Sequence, residues 1–383
     1  MSAILVSNAF PFPLDDGYRV RLFHVVRAAA RTVPVTLVSP PPQNDAHVRE
    51  LRLAIGAEID LRQSSALDRR GTRPMAAALG ALSAAPVHAW EARIAGLGMT
   101  LRQALRGIEE GASPRPLIVA MTPFVLPVIW QLGYKADIVD FHNIYADLFA
   151  QYAVRRRDRF GAWYLQMTAE KTRSLEMRGA TEAREVWLCS EDDERRLAST
   201  VPTLHSVVVP NGADTPSVPT WGPSPSRHFI FFGRLDYAPN IDAVHWLAKS
   251  IMPLIRRAEP DACVHIVGAG GSAALRAMVE ATPGLRFVGR VDSMAEELRR
   301  AAGALVPLRM GGGTRLKVLE ALSTGCPLVA TSVAVEGLGL TPGADFHLAE
   351  SPDQFAAAVA LLGRSADEGN RLSVQGHATV RRR

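Results

Sequence analysis

A chain of 383 residues is longer than one ordinary hydrophobic core supports, so two domains are expected. With 48% hydrophobic and 21% charged residues it has a globular composition, neither disordered nor fibrous. A net charge of +5 fits anionic ligands or a membrane surface and is too small to argue for nucleic acid.

The opening MSAILVSNAF has no basic leader segment and reads as a first strand. AFPFPLDDGYR follows it and places Gly17 near the start of a helix, YRVRLFHVVRAAART, with apolar residues at three- and four-residue spacing. VTLVS is the next strand. The most apolar segment, residues 116–134, contains Pro116, Pro123 and Pro127. These break a spanning helix, so a strand, a turn and a second helix are expected there. DIVDF is a strand that ends at His142, which is either a functional group or a satisfied strand-end histidine. RRRDR, 155–159, reads first as a solvated helix face and second as a contact with an anionic membrane. EVWLC and SVVVP are strands, and EDDE, 191–194, between them looks like a helix start rather than a metal motif. Residues 215–227, TPSVPTWGPSPSR, hold four prolines and have a linker composition. The expected domains are therefore 1–214 and 228–383, joined by a 215–227 linker.

Beyond the linker the short apolar runs continue as HFIFF, VHIVG, RFVG, ALVPL, PLVAT and DFHLA, separated by helical patterns. None alternates strictly, as expected of strands covered on both faces in a parallel sheet. The whole reads as α/β, with two doubly wound sheets of about six strands each. Cys189, Cys263 and Cys326 lie in or beside apolar runs and form no CxxC pair, so they are expected as buried, reduced thiols rather than zinc ligands. GAGGSA, 268–273, only partly mimics a dinucleotide fingerprint, because Ala273 replaces its third glycine.

In open α/β sheets ligands bind beyond the carboxyl ends of the strands. Here those ends read Gly233-Arg234, Gly268, Gly289-Arg290 and RMGGGTRLK. Glycine inside a helix costs roughly 1 kcal/mol relative to alanine, so Gly311–Gly312–Gly313 need another reason. A glycine loop ahead of a helix brings backbone N–H groups close to an anion, and the helix N-terminus adds about half a positive charge. Thr314 is the expected N-cap, Arg315 the first helical residue and Gly325 the C′ glycine. Lys317, Glu320 and Thr324 share a polar arc. Lys317 can reach a phosphate and Glu320 can accept from the vicinal hydroxyls of a ribose. The alternative is a surface Lys–Glu pair, which explains the charges but not the glycines.

FFGRLDYAPNIDAVHWL, the segment 286–338 and VVVPNGAD resemble the second domain of family 4 glycosyltransferases, and FPLDDGYRVRLFHVVRAAA and DIVDFHNIYADL resemble their first. The resemblance implies the GT-B fold, two Rossmann-like domains facing across a cleft that closes on the donor. It implies a UDP- or GDP-sugar as co-substrate and no cofactor; no metal is expected, because no acidic metal motif stands at a strand end. Arg234 would hold the diphosphate with Lys317 assisting, Glu320 the ribose, and Gly289, Arg290 and Val291 would frame the base. Gly17 would face the diphosphate from the first domain and His142 would lie near the transferred sugar. With the glycine loop, Thr314 and Arg315, these are the expected site residues. The implied reaction is retaining transfer of a hexose-type sugar to a glycan or lipid-linked acceptor, in cell-surface polysaccharide assembly. The protein would be cytoplasmic, with peripheral contact to the inner membrane surface allowed for. Rival readings are a nucleotide-sugar epimerase and a non-catalytic sugar-nucleotide-binding module.

Three departures accompany the resemblance. Members often carry two glutamates eight positions apart, and eight before Glu320 stands Gly312. A lysine five residues after the arginine of GRL is replaced by Pro239, so Arg315 or Lys317 is expected to supply the charge. Members usually continue into a last helix that crosses back to the first domain, whereas this sequence stops at HATVRRR.

Overall fold

The computed structural model describes residues 1–64, 69–109, 115–156, 158–222 and 228–382. Residues 223–227 of the expected linker and Arg157 of the basic run lie outside them. The chain divides into two compact units, Met1–Pro210 and Asn211–Arg383.

The first unit is built on seven parallel strands: β1 (Ala3–Val6), β2 (Val35–Ser39), β3 (Asp60–Gln63), β4 (Leu117–Ala120), β5 (Ile138–Phe141), β6 (Glu185–Leu188) and β7 (Ser206–Val208). Their order is β3-β2-β1-β4-β5-β6-β7, so the winding reverses between β1 and β4. Alternate side chains of β1 feed opposite faces: Ile4 and Val6 pack with Leu97 and Leu101, Ala3 and Leu5 with Leu22 and Val26. That two-sided burial is why the strand reads as an unbroken apolar run. The six expected strands are present. The unexpected seventh, β3, is the polar edge strand DLRQ, which has one covered side and hence no apolar run. Residues 116–134 form β4, a 3₁₀ turn (Pro123–Val125) and a helix (Leu126–Gln131). Among the described residues no helix is long and apolar enough to cross a membrane.

The second unit has six parallel strands: β8 (His228–Phe232), β9 (Cys263–Val267), β10 (Leu285–Gly289), β11 (Gly303–Val306), β12 (Leu328–Ala330) and β13 (His347–Leu348). The order β10-β9-β8-β11-β12-β13 reverses between β8 and β11. Residues 215–222 do not behave as a free linker. Trp221 is buried in this unit's core, and its indole N–H donates to the Ala301 carbonyl at 2.7 Å. The last helix, Ala366–Arg381, buries Leu372 and Val380 in the same core, and its His377 ring bonds the Pro216 carbonyl at 3.0 Å. The cysteines are free; Cys189 and Cys326 are buried as expected, but Cys263, the first residue of β9, is half-exposed.

Candidate functional site

Strand order places the crevice of the second unit at the carboxyl ends of β8 and β11. There the backbones crowd. A Cβ on Gly268, at φ +151°, would lie 1.9 Å from the Gly233 carbonyl oxygen, so a side chain at this position is sterically excluded. The Gly268 N–H in turn donates to the Gly289 carbonyl at 2.8 Å. The glycines of GAGGSA thus serve backbone packing of three neighbouring strand ends.

Into this bare region the helix Leu316–Thr324 sends Lys317. Val318, Leu319, Ala321 and Leu322 bury one face of that helix, and Gly325 ends it at φ +82°. The Lys317 ammonium donates to Asn240 Oδ1 at 2.7 Å and lies 4.5 Å from the centre of the Phe231 ring. It would stand 2.8 Å from a Cβ on Gly233. Burial pulls its pKa down to about 7, against a smaller upward pull from the Glu320 charge. Lys317 therefore turns its ammonium inward; Glu320 keeps an exposed surface, though the burial around its carboxyl raises its pKa against the downward pull of the Lys317 charge. The surface-pair alternative fails for Lys317.

Asn240 joins the parts, and the sequence reading missed it. It is buried, and besides accepting from Lys317 it donates Nδ2 to the Arg234 carbonyl at 2.7 Å. The signal was present: in APNIDAVHWL, Asn240 shares a helix face with Ala243, Val244 and Leu247, a polar residue on an apolar stripe. Arg234 itself is half-buried and forks onto Asp236, at 3.0 Å from Nε and 2.5 Å from Nη2.

The glycine loop departs from expectation in two places. The helix begins at Leu316, with Arg315 at the N-cap, so Thr314 is not the cap. The Thr314 hydroxyl instead accepts from Asn211 Nδ2 at 2.7 Å. Arg315 is only 8% exposed. It donates to the Gly313 carbonyl at 2.5 Å and to Glu336 Oε2 at 3.3 Å, while a Cβ on Gly311 would meet its guanidinium at 3.2 Å. The loop curls around this cation, with Gly313 at φ +60° and Gly312 half-buried. Arg315 shapes the loop, and its charge faces inward. Arg309, at the loop's other end, forks onto Asp242 at 2.5 and 2.9 Å. Of the base-framing residues, Gly289 ends β10 at φ +80°, Arg290 is exposed and Val291 half-buried.

In the first unit the ends of β1 and β5 are joined by aromatic and hydroxyl groups. Ser7 Oγ lies 2.7 Å from the Tyr18 hydroxyl, the Tyr18 ring packs on His142 at 4.5 Å between centres, and His142 Nε2 shares a 2.5 Å hydrogen bond with the Tyr145 hydroxyl. Burial, with Arg21 nearby, pulls the His142 pKa down to about 3, so the ring is neutral. Its Nδ1 meets no hydrogen-bond partner among the described residues. Glu176 accepts from the Tyr145 N–H at 2.7 Å and the Ala146 N–H at 3.3 Å, fixing the start of the helix Tyr145–Arg155; burial lifts its pKa to about 8. Beneath, Arg21 and Asp140 form a buried ion pair at 2.6 Å, and Arg21 also donates to the Val209 carbonyl. Gly17 opens the helix Gly17–Ala30 as expected, but the Asp16 side chain already caps it, accepting from the Arg19 N–H at 2.9 Å. Among the described residues no group of three or more His, Cys, Asp or Glu could hold a metal ion.

Two doubly wound parallel sheets, each with its own switch point, define a protein of two Rossmann-like units. Residues 226–364 match the family model described as glycosyl transferases group 1. No curated protein matches the chain. Among solved structures, sucrose-phosphate synthase from Thermosynechococcus elongatus superposes with a TM-score of 0.68 at 16% identity, covering 100% of this chain and 94% of that one. Anabaena HepE in complex with UDP-glucose gives 0.65 at 13%, covering 100% and 95%. A mutant of S. aureus TarM, in complex with Fondaparinux, alpha-GlcNAc-glycerol and UDP, gives 0.58 at 13%. That match covers 75% of this chain and 55% of TarM, so the chain spans about half of TarM's length. The fold is GT-B, and the match to the group 1 glycosyltransferase family model lies within the second unit.

Proposed function

We propose that the chain is a retaining glycosyltransferase of family 4. It moves a hexose-type sugar from UDP- or GDP-sugar to a glycan or lipid-linked acceptor in cell-surface polysaccharide assembly, at the cytoplasmic side and without a bound metal. The observation that carries this reading is the Lys317 ammonium, turned inward between Gly233 and Asn240 at the β8 strand end. Nothing about packing a helix requires a lysine there, and desolvation works against its charge. An anionic diphosphate supplies counter-charge beyond the weaker pull of Glu320.

In this reading Lys317 stabilises the leaving diphosphate, where negative charge grows as the glycosidic bond breaks. Arg234 assists, sharing its guanidinium between Asp236 and phosphate. Glu320, exposed on the next turn, accepts from the ribose hydroxyls, and Gly289, Arg290 and Val291 frame the base. The glycine loop and Thr314 offer backbone and hydroxyl donors, with Arg315 holding the loop's shape. His142 is neutral, so near the transferred sugar it serves as a hydrogen-bonding rather than an ionic group. The UDP-glucose bound to HepE supports a nucleotide-sugar donor.

A thermal-shift screen of UDP, GDP and their sugar conjugates tests the reading. A rise in melting temperature is expected with one nucleotide series, followed by slow release of the nucleoside diphosphate that persists in excess EDTA. Interconversion of the intact sugar nucleotide would favour an epimerase, and binding without turnover a non-catalytic module. Loss of activity in EDTA restored by Mn²⁺ would overturn the metal-free part.

A further inference from the structure

The helices Tyr145–Arg155 and Arg159–Glu182 pack against each other as a hairpin, the start of one tied to the far part of the other through Tyr145 and Glu176. The tip of that hairpin exposes what a solvated surface ordinarily covers. Val154 is 87% exposed, Phe160 75% and Trp163 57%. Phe160 and Trp163 stand one turn apart on a single helix face, with ring centres 5.8 Å apart. Arg155, Arg156 and Arg159 are exposed around them, and Asp158 beside them pairs with Arg156 and caps the second helix.

We propose that this hairpin tip is a docking surface for an anionic lipid bilayer. Tryptophan and phenylalanine place their rings at the boundary between headgroups and acyl chains, while arginine lays its aliphatic stem along apolar surface and keeps its guanidinium at the phosphates. The sign of the charge selects the occupant. A second copy docking by a two-fold axis would set arginine against arginine, whereas an anionic leaflet complements them. The tip lies roughly 15 Å from Tyr145, ten positions along the helix at about 1.5 Å each, so docking leaves the His142 cluster uncovered. The proposal is independent of the donor reading.

Co-sedimentation of the full chain with vesicles tests it. Binding is expected to mixed phosphatidylglycerol–phosphatidylcholine vesicles and not to pure phosphatidylcholine. Phe160→Ser with Trp163→Ser should weaken binding at least about tenfold. Arg155→Gln and Arg159→Gln should each weaken it about fivefold, the effect of one basic residue near an anionic surface, and should flatten its salt dependence. All four positions are exposed, so melting temperatures should not change. Equal binding to both vesicle types, no binding to either, or wild-type binding by the aromatic double variant would overturn the proposal. So would a dimer in sedimentation velocity that the double variant abolishes, since self-association would then be the patch's role.

Discussion

The two units share a topology but line their switch points with opposite chemistry. In the second, strand ends are stripped to glycine and one desolvated ammonium stands among them. In the first, the strand ends carry tyrosine hydroxyls, a serine and a neutral imidazole, and the charges are sunk deeper as the Arg21–Asp140 pair. A charge held at a crevice surface responds to a ligand. A charge pair sealed beneath it responds to the fold. The contrast predicts that substitutions in the first unit's ionic layer act on stability, and those at Lys317 and Glu320 act on binding and rate.

The largest effect should come from Asp140→Ala. It leaves the Arg21 guanidinium buried without its carboxylate, and denaturant unfolding should show a loss of about 3–5 kcal/mol. A loss below about 1 kcal/mol would erase the contrast from the first unit's side. Next, Lys317→Ala should lower kcat by on the order of 10²-fold while affinity for the plain nucleoside changes little. Glu320→Ala should weaken nucleoside and nucleoside diphosphate alike by about 1–3 kcal/mol, a contact equal in ground and transition states. Wild-type calorimetric affinities in the Glu320 variant would remove that residue from the site.

The third effect is a pH dependence. Lys317 sits near pKa 7 when its site is empty. A bound diphosphate favours the charged ammonium and raises that value, so binding takes up a proton. Affinity should fall as pH rises above about 7, by up to tenfold per unit, until the bound-state pKa is passed. The diphosphate, whose last pKa is near 6, is already about nine-tenths ionised at pH 7 and changes little through that window. Titration calorimetry from pH 7 to 9 should show the slope in the wild type and lose it in Lys317→Ala; a flat wild-type profile would contradict it. The smallest effect is expected from Glu336→Gln, which loosens the Arg315 tether on the glycine loop. Stability should drop by about 1 kcal/mol and donor affinity by less than about fivefold, read from urea melts and calorimetry.

Much of this was legible in the sequence where burial is two-sided. Among the described residues twelve strands announced themselves as apolar runs, and only the polar edge strand β3 was silent. The inward turn of Lys317 was half-visible: the helical wheel put it on a polar arc, but a wheel shows direction and not what waits at the end of the side chain. Asn240 and Asp236 lie 77 and 81 positions away from Lys317 in the chain, and their roles depend on where two strand ends meet. Arg315 could be read only as one more positive charge. Its engagement with Glu336, 21 residues on, is tertiary and left no local trace.

Trp221 gives the boundary of the second unit a meaning beyond packing. The segment matched by the group 1 family model starts at 226 and stops at 364, yet Trp221 lies before it and Leu372 and Val380 lie after it, all in one core. Gly369 of the last helix leaves room for the indole, since a Cβ there would come within 2.9 Å of it. The stretch of sequence that defines kinship is thus shorter than the stretch that folds. A graft or exchange of this domain cut at the matched ends would carry the glycine-rich strand-end loops while leaving behind two of the pieces that close its core.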